Sequence, residues 1–472
     1  MQFLKILWCD VSGIRRCRVV PMKPNSDGVQ GWLQYLQIGD KSFFISSDIK
    51  MTAIALFLPC FGDVAVIKNG FAEELRVSVA GTPVPLPHSN DYLCVSSLCD
   101  ITRVPWSEMY ECMHRCPRAF LAATVDRLEA SFGLRLQIGF ETEFILLKKV
   151  TDSDGNERYV PLETSVYAQS SGFDHASTVL REICVALENA GQRVLQVHGE
   201  SAPGQFEIVT DYGDVLSQAD DFLIRKEIIQ SVAHRHGLYA TFLPKYFRDQ
   251  AGSASHVHFS FVRNSPRRLL EADEKYEFQS ELPLGEDLKM FMAGIIENMG
   301  GLLMFTAGSP NSTRRIQPGC WAGAYACWGF FNKEAPLRVI SADADHVEFK
   351  AFDGSANPYM GLNALINAGI DGLTRGLVLP PPVQGNPALL PPGECMRLPK
   401  TFEETVLAFE KNIEASKRTY GMVHEWYKSY VGQYPLILKE FFEDFLAVKR
   451  AELEMFQNMS FEEEVAILFN KY

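Results

Sequence analysis

The chain lacks both standard phosphate loops. No G-x-G-x-x-G or G-x-x-x-x-G-K-[ST] string follows a strand-like segment and opens a helix, which excludes a dinucleotide fingerprint and a P-loop. The sequence is also poor in positive charge, with 45 basic against 58 acidic residues and a net charge of −13. Such a balance gets no help from a phosphate backbone, so nucleic acid is not an expected partner. A membrane-spanning run is missing too. The longest apolar stretch, Met290 to Phe305, is broken by Glu297 and Asn298 and is short of the roughly 20 residues a span requires. Met1 to Val11 is interrupted by Lys5 and Asp10; it is too short for a signal peptide and reads as a strand. The cysteines, eleven and therefore odd in number, form no disulfide framework. Cys112-x-x-x-Cys116 has no second pair at zinc spacing, so free thiols in a reducing cytoplasm are expected.

A chain of 472 residues, 47% hydrophobic, is expected to divide into two or three domains. Residues 1–105 read as a small β-rich domain. "FLKILWCDVSG" and "CRVVPM" suggest a hairpin around Ser12-Gly13, and "TAIALFLP", "GDVAVIK" and "YLCVSSLC" suggest further strands. A linker follows at Thr102 to Ser107. Residues 106–472 alternate strands with helices that stop at Gly133, Gly191 and Gly237. A Pro-rich loop, "LPPPVQGNPALLPPGE", precedes a mostly helical C-terminal segment. Strands bearing polar motifs would line one face of a curved sheet while helices cover the other. The fold class is therefore α+β.

Four short motifs carry the chemistry: Glu141-Thr-Glu143, Glu200-Ser-Ala-Pro-Gly-Gln-Phe-Glu207, His256-Val-His258 and Val-Glu348-Phe-Lys350. Residues two apart on a strand face the same way, so Glu141 aims with Glu143 and His256 with His258. Glu141-x-Glu143 by itself fits a solvated strand face, but its flanks, Ile138 to Phe140 and Phe144 to Leu146, are apolar. In "GESAPGQFEIV", Pro203-Gly204 turns the chain so that Glu200 and Glu207 can face one point. A lone histidine is usually a satisfied core residue; here the carboxylate motifs favour a metal ligand at one and a ligand contact at the other. Five carboxylates and an imidazole on one surface require divalent cations to neutralise them, and multi-metal sites commonly handle phosphate. Arg314 and Arg315 precede a Pro-Gly turn, and an arginine there can grip a carboxylate in a fork. Lys333 and Arg338 are candidate phosphate cations. If ATP is used, metals and arginines must hold its phosphates.

With these motifs, and with "WAGAYACWG", "KEAPLRV" and "FDGSANPYMGLNALINAGIDGL", the chain resembles the glutamine synthetase family. It looks closest to the type-I-like FluG and nodulin group of fungi and plants, without the amidohydrolase domain that often precedes the module there. The resemblance implies a β-grasp N-terminal domain, a catalytic domain whose curved sheet forms a funnel, and homo-oligomers of stacked rings with active sites between subunits. It implies ATP and two or more Mg²⁺ or Mn²⁺ ions per site. Glu143, Glu200 and Glu207 would hold one metal; Glu141, His256 and Glu348 would hold the second. His258 and Ser260 resemble nucleotide-side positions, Arg315 the arginine that binds the substrate carboxylate, Gly252 the glycine against the glutamate backbone, and Arg338 a phosphate-binding arginine. The reaction implied is attack of the glutamate side chain on ATP, then capture of γ-glutamyl phosphate by ammonium or an amine.

The chain departs from the family pattern at the amine end. Trp321 stands where the family carries its catalytic acid, and an indole accepts no proton. Lys333 and Lys350 replace arginines, keeping charge but losing the fork. Ala251 replaces an asparagine. Asp40 is the candidate for the aspartate that reaches ammonium from a neighbouring subunit. The tyrosine that bacterial relatives adenylylate has no clear counterpart near "ECMRLPKTF". The expected function is an ATP- and metal-dependent glutamate–amine ligase, with Trp321 favouring a larger apolar or aromatic amine. The alternatives are a non-catalytic ring protein with a structural or signalling role, and a carboxylate kinase that releases phosphate.

Overall fold

The structure is a computed structural model that describes residues 1–24, 33–38, 40–46, 49–67, 74–100, 115–262, 284–341, 345–411 and 435–472. The fold is α+β, with two large sheets. The first holds β1 (Gln2–Cys9), β2 (Arg15–Pro24), β3 (Leu33–Ile38), β4 (Lys41–Ser46), β5 (Lys50–Thr52), β6 (Glu74–Pro85) and β7 (Tyr92–Asp100), in the order β3-β4-β2-β1-β7-β6-β5. The central pair β1–β7 is parallel and β1–β2 is the hairpin around Ser12-Gly13. Two expected strands differ. "TAIALFLP" contains a 3₁₀ turn, Ala53–Leu56, that buries its first and last residues; a short unbroken apolar run does not distinguish strand from helix by period. Residues 62–67 form no strand, and Asp63 to Ala65 are exposed. The linker at 102–107, the 105/106 boundary and Cys112 lie outside the described residues.

The second sheet is built on β8 (Arg135–Thr151), with β9 (Glu157–Pro161), β10 (Val194–Gly199), β11 (Gln205–Thr210), β12 (Gly213–Asp214), β13 (Leu238–Thr241), β14 (Val257–Val262), β15 (Tyr325–Ala326), β16 (Trp328–Phe330), β17 (Leu337–Ser341), β18 (His346–Phe349) and β19 (Met396–Arg397) completing the strands in chain order. Its main path is β10-β11-β8-β14-β18-β17-β16, while β15 and β19 pair separately. "GAYACWGF" is therefore not one strand: Cys327 is the break between a segment held by residues 396–397 and one parallel to β17.

Helices cover one face of this sheet: α1 (Pro117–Phe132), α2 (Ser170–Asn189), α3 (Val215–Arg235), α4 (Glu286–Thr306) and α6 (Pro358–Arg375), with the single turn α5 (Ser312–Arg315) between the last two in the chain. A helix over 402–411 (α7), then α8 (Pro435–Phe456) and α9 (Phe461–Leu468) complete the chain. Local chemistry sets their ends. Pro117 starts α1, and Gly133 ends it at a left-handed φ of 65°. Asn357 caps α6 by accepting from Tyr359 N and Met360 N, each such cap contributing about 1 kcal/mol. α4, which carries the longest apolar run, is mostly buried as a core helix.

Alternation along β8 decides which face becomes the site. Phe140, Thr142 and Phe144 point into the core, where Phe140 stacks on Phe222 of α3 with centroids 4.5 Å apart. Burying each phenyl contributes roughly 1.5–3 kcal/mol, so the interleaved Glu141 and Glu143 must face away. Arg225 of α3, fully buried, clamps the same strands from beneath by donating to Thr142 Oγ1 (2.9 Å) and to Thr210 Oγ1. The N-terminal sheet is tied to this body: Asn357 donates to Cys9 O and Asp10 O, Ser12 to Glu452, and Tyr472 to Ser12 O.

Candidate active site

Sheet register assembles two rows of polar side chains on the face away from the helices. Glu143 of β8 is paired with Glu207 of β11, and Glu207 with His198 of β10. His258 of β14 is paired with Glu348 of β18, and Glu348 with Arg338 of β17. Directly opposed residues of an antiparallel pair share a face, so each row points the same way. The turn before β11 depends on Gly204. Its φ is 68°, and a Cβ there would lie 2.7 Å from Leu146 O, so only glycine fits without displacing backbone.

Three groups of ligand atoms converge, each with all atoms within 4.8 Å: Glu141, His256 and Glu348; Glu143, Glu207 and His256; and His198, Glu200 and Glu207. His256 Nδ1 is 3.0 Å from Glu141 and 3.2 Å from Glu348. His258 Nε2 is 2.9 Å from the other Glu141 oxygen. Glu143 accepts from Gln205 Nε2 and Ala254 N, both at 2.9 Å. Glu141, His256 and Glu348 thus stand together. Glu143 and Glu207 gather around His256, while Glu200 sits with Glu207 against His198, 3.0 Å from its Nε2.

His198 and His346 were not singled out from the sequence, although both were within reach of the period-two argument: His198 is two residues before Glu200, and His346 two before Glu348. His346 Nε2 meets His258 Nδ1 at 2.8 Å.

The electrostatics of the face are those of carboxylates short of cations. Burial and then the charge of Glu200 push Glu143 up to about 8. Burial and then Glu141, Glu143 and Glu200 push Glu207 up to about 10. Glu141 is also opposed by burial, but the imidazoles of His256 and His258 outweigh that and hold it well below the usual carboxylate range. Glu348 is lowered despite its burial, by His256, Lys350 and Arg338. Both Glu348 oxygens are buried without an aligned hydrogen bond, although Arg338 Nε is 2.5 Å from one and Lys350 Nζ 3.9 Å from the other. Buried carboxylate oxygens without aligned donors, beside oxygen and imidazole ligands only, fit a hard divalent cation such as Mg²⁺ or Mn²⁺.

Cationic groups flank the carboxylates. Arg315 is buried and donates to Lys350 O and Phe352 O, both at 3.2 Å, while its Nε is without a partner. Gly252 lets the guanidinium stem pack: a Cβ there would sit 2.5 Å from Arg315 Cγ. Lys350 is almost fully buried and its ammonium is pushed down by that burial. Ser260 follows His258 on the same face of β14, opposite Gln137. Three candidates stand apart. Lys333 is exposed in the 331–336 turn, and Asp40 is exposed at the β3–β4 turn. Trp321 is 57% exposed on the loop that follows Arg315 and has a φ of 52°, a conformation that strains any side chain with a Cβ.

Residues 114–467 match the family described as glutamine synthetase, catalytic domain. The chain belongs to the glutamine synthetase family. It is 28% identical over 436 residues to type-1 glutamine synthetase 1 of Dictyostelium discoideum, covering 87% of this chain and 81% of that protein. It is 31% identical over 359 residues to protein fluG of Emericella nidulans, covering 73% of this chain and 36% of the relative, so it spans about a third of that protein's length. It is 29% identical over 321 residues to gamma-glutamylpolyamine synthetase GlnA3 of Streptomyces coelicolor, covering 66% of this chain and 65% of that protein. The fold matches a GmaS/ADP complex with a TM-score of 0.71 at 23% identity, across 100% of this chain and 97% of that one.

Proposed function

We propose that the protein is an ATP- and divalent-metal-dependent ligase that joins the side-chain carboxylate of glutamate to an amine through γ-glutamyl phosphate. The observation that carries this reading is the pair of ligand triads that meet at His256, one with Glu141 and Glu348 and one with Glu143 and Glu207, the ligand atoms of each triad lying within 4.8 Å of one another, with Arg338, Lys350 and Arg315 alongside. Glu143, Glu200, Glu207 and His198 are the residues that would hold one cation, and Glu141, His256 and Glu348 those for a second. A bound divalent cation supplies charge neutralisation and Lewis acidity to a phosphoryl group.

The remaining roles belong to this chain's own side chains. Arg338 and Lys350 are placed to offset charge on a transferring phosphoryl group. Arg315 presents an unpartnered buried Nε for the α-carboxylate of glutamate, and Gly252 leaves room for the substrate backbone beside it. His258, Ser260 and Lys333 are assigned to the nucleotide side. The attacking carboxylate oxygen displaces ADP, and the amine nitrogen then displaces phosphate. The amine must lose a proton in that second step, and Trp321 offers no acceptor. A flat apolar wall there favours an organic amine over ammonium. The reading includes homo-oligomeric rings in which Asp40 of a neighbouring copy approaches the amine side.

The test is ATP turnover with Mg²⁺ or Mn²⁺ and glutamate, across ammonium and a panel of amines, with the product identified by mass. A γ-glutamyl amide is the expected product. Phosphate release without an amide would instead indicate a carboxylate kinase, and ATP binding without turnover a non-catalytic ring protein.

A further inference from the structure

We propose that Cys327 and Cys395 are a redox-modification site, a cross-strand dithiol whose disulfide locks the loop that carries Trp321. The geometry comes from β15 and β19. Tyr325 is paired with Arg397 and Ala326 with Met396; the ladder ends there, and continuing its register by one residue brings Cys327 opposite Cys395. Leu398 N donates to Ala324 O at 3.0 Å. Antiparallel pairs alternate between hydrogen-bonded and non-hydrogen-bonded. Counting from that bond, 325/397 and 327/395 are non-hydrogen-bonded positions, where facing Cα atoms approach to about 4.5 Å and side chains are closest. A disulfide accepts Cα separations of roughly 4.4–6.8 Å.

Two side-chain contacts agree with this register. Arg397 stacks over the Tyr325 ring at 5.4 Å, on the face that Cys327 and Cys395 share by the period of two. The two thiols are near enough that each perturbs the ionisation of the other. Cys327 is buried and Cys395 is half-buried, so an oxidant reaches Cys395 first.

The strand that follows Cys395 already straps the loop. Arg397 donates to Ala324 O at 2.6 Å, to Gln317 Oε1 at 3.2 Å and to Ile316 O at 3.4 Å. One guanidinium therefore holds both shoulders of residues 316–324. A covalent bond one step along the same ladder would fix that strap in place. Under the function proposed above, it would oppose movement of Trp321 during amine capture, but the site itself does not depend on that reading.

The oxidant is a small-molecule disulfide. The Cys395 thiolate attacks one of its sulfurs and releases a first thiol. The Cys327 thiolate then attacks the mixed disulfide at Cys395 and releases a second. The protein loses two electrons and two protons, and the small disulfide is reduced to two thiols. Burial pushes the Cys327 thiol up to about 12, so the reaction should accelerate as pH rises toward 9.

The native full chain is incubated with oxidised glutathione, alkylated and mapped by peptide mass, with Cys320→Ser used in parallel to remove the exposed thiol nearby. The expected result is a linked peptide pair containing Cys327 and Cys395, lighter by two hydrogens, restored by dithiothreitol and absent in Cys395→Ser. Full alkylation of both cysteines, or a stable glutathione adduct on Cys395 with no link, overturns the proposal. Chymotryptic cleavage after Trp321 reads the lock without any turnover assay. The oxidised protein should be cut at least about fivefold more slowly than the reduced one; equal rates would refute the locking of the loop.

Discussion

The carboxylate floor and the Trp321 loop are built in opposite ways. On the floor, most functional side chains are placed by strand register, and β8, β11, β14 and β18 are anchored by phenylalanines on the far face, among them Phe140, Phe206, Phe259 and Phe349. In the loop, Arg397 grips Ile316 O, Gln317 Oε1 and Ala324 O at the two shoulders, and Trp321 between them occupies a strained backbone angle and is more than half exposed. A floor of this kind tolerates little change in its chemistry. A loop of this kind can exchange a carboxylate for an indole while the floor stays as it is. Under the proposed function, phosphate chemistry and amine choice are thus assigned to separately built parts.

The sharpest way to break the comparison is to damage the floor. Glu207→Ala should lower metal-dependent ATP turnover on the order of 10³-fold or more with circular dichroism unchanged; a loss under tenfold would refute the assignment of Glu207 to a cation. Next is the substrate fork. Arg315→Lys should raise the glutamate KM roughly ten- to a hundredfold, read by initial rates at saturating ATP, and an unchanged KM would remove Arg315 from substrate binding. The loop is tested by Trp321→Glu. Restoring an acid there should move the ratio of kcat/KM for ammonium over apolar amines upward by about tenfold; a ratio that stays put would show that amine choice is made elsewhere.

Two smaller effects concern stability. In the metal-free protein, Glu143 and Glu207 are raised to about 8 and about 10, above their values in the unfolded chain. The folded state binds those protons more tightly, so their favourable contribution is full below the unfolded pKa and is lost as pH climbs through the folded values. The metal-free Tm should therefore fall between pH 7 and 9, and the increase in Tm on adding Mg²⁺ should grow over the same range. A metal-induced increase that shrinks with pH would contradict this. Last, Trp321→Gly should stabilise the fold by about 1 kcal/mol through relief of the positive φ, measured by urea denaturation; destabilisation would mean that the indole packs usefully.

What was legible in the sequence follows the same division. The period of two placed Glu141, Glu143, His256, His258 and Glu348 on one face, because the apolar residues between them had only one way to be buried. The same rule extends to His198, two residues before Glu200, and to His346, two before Glu348. The end of α1 at Gly133 was visible because its chemistry is local. The strand expected at "TAIALFLP" was not there, since an unbroken apolar run carries no period. The split of "GAYACWGF" was hidden for a different reason. Its halves are held by segments about 10 and 70 residues further along the chain, which a local pattern does not register.

β8 is the shared spine of the large sheet, bordered by β9, β11, β12, β13 and β14. Insertion of a single residue ahead of Glu141 would turn both of its carboxylates into the core and bring Thr142 out, against every neighbour at once. In evolutionary terms this strand can drift by substitution at its exposed ends but is closed to insertions and deletions. Length variation in descendants of this gene should therefore accumulate in turns such as 152–156 and the 376–395 loop, and the spacing within 135–151 should outlast most of the residues that fill it.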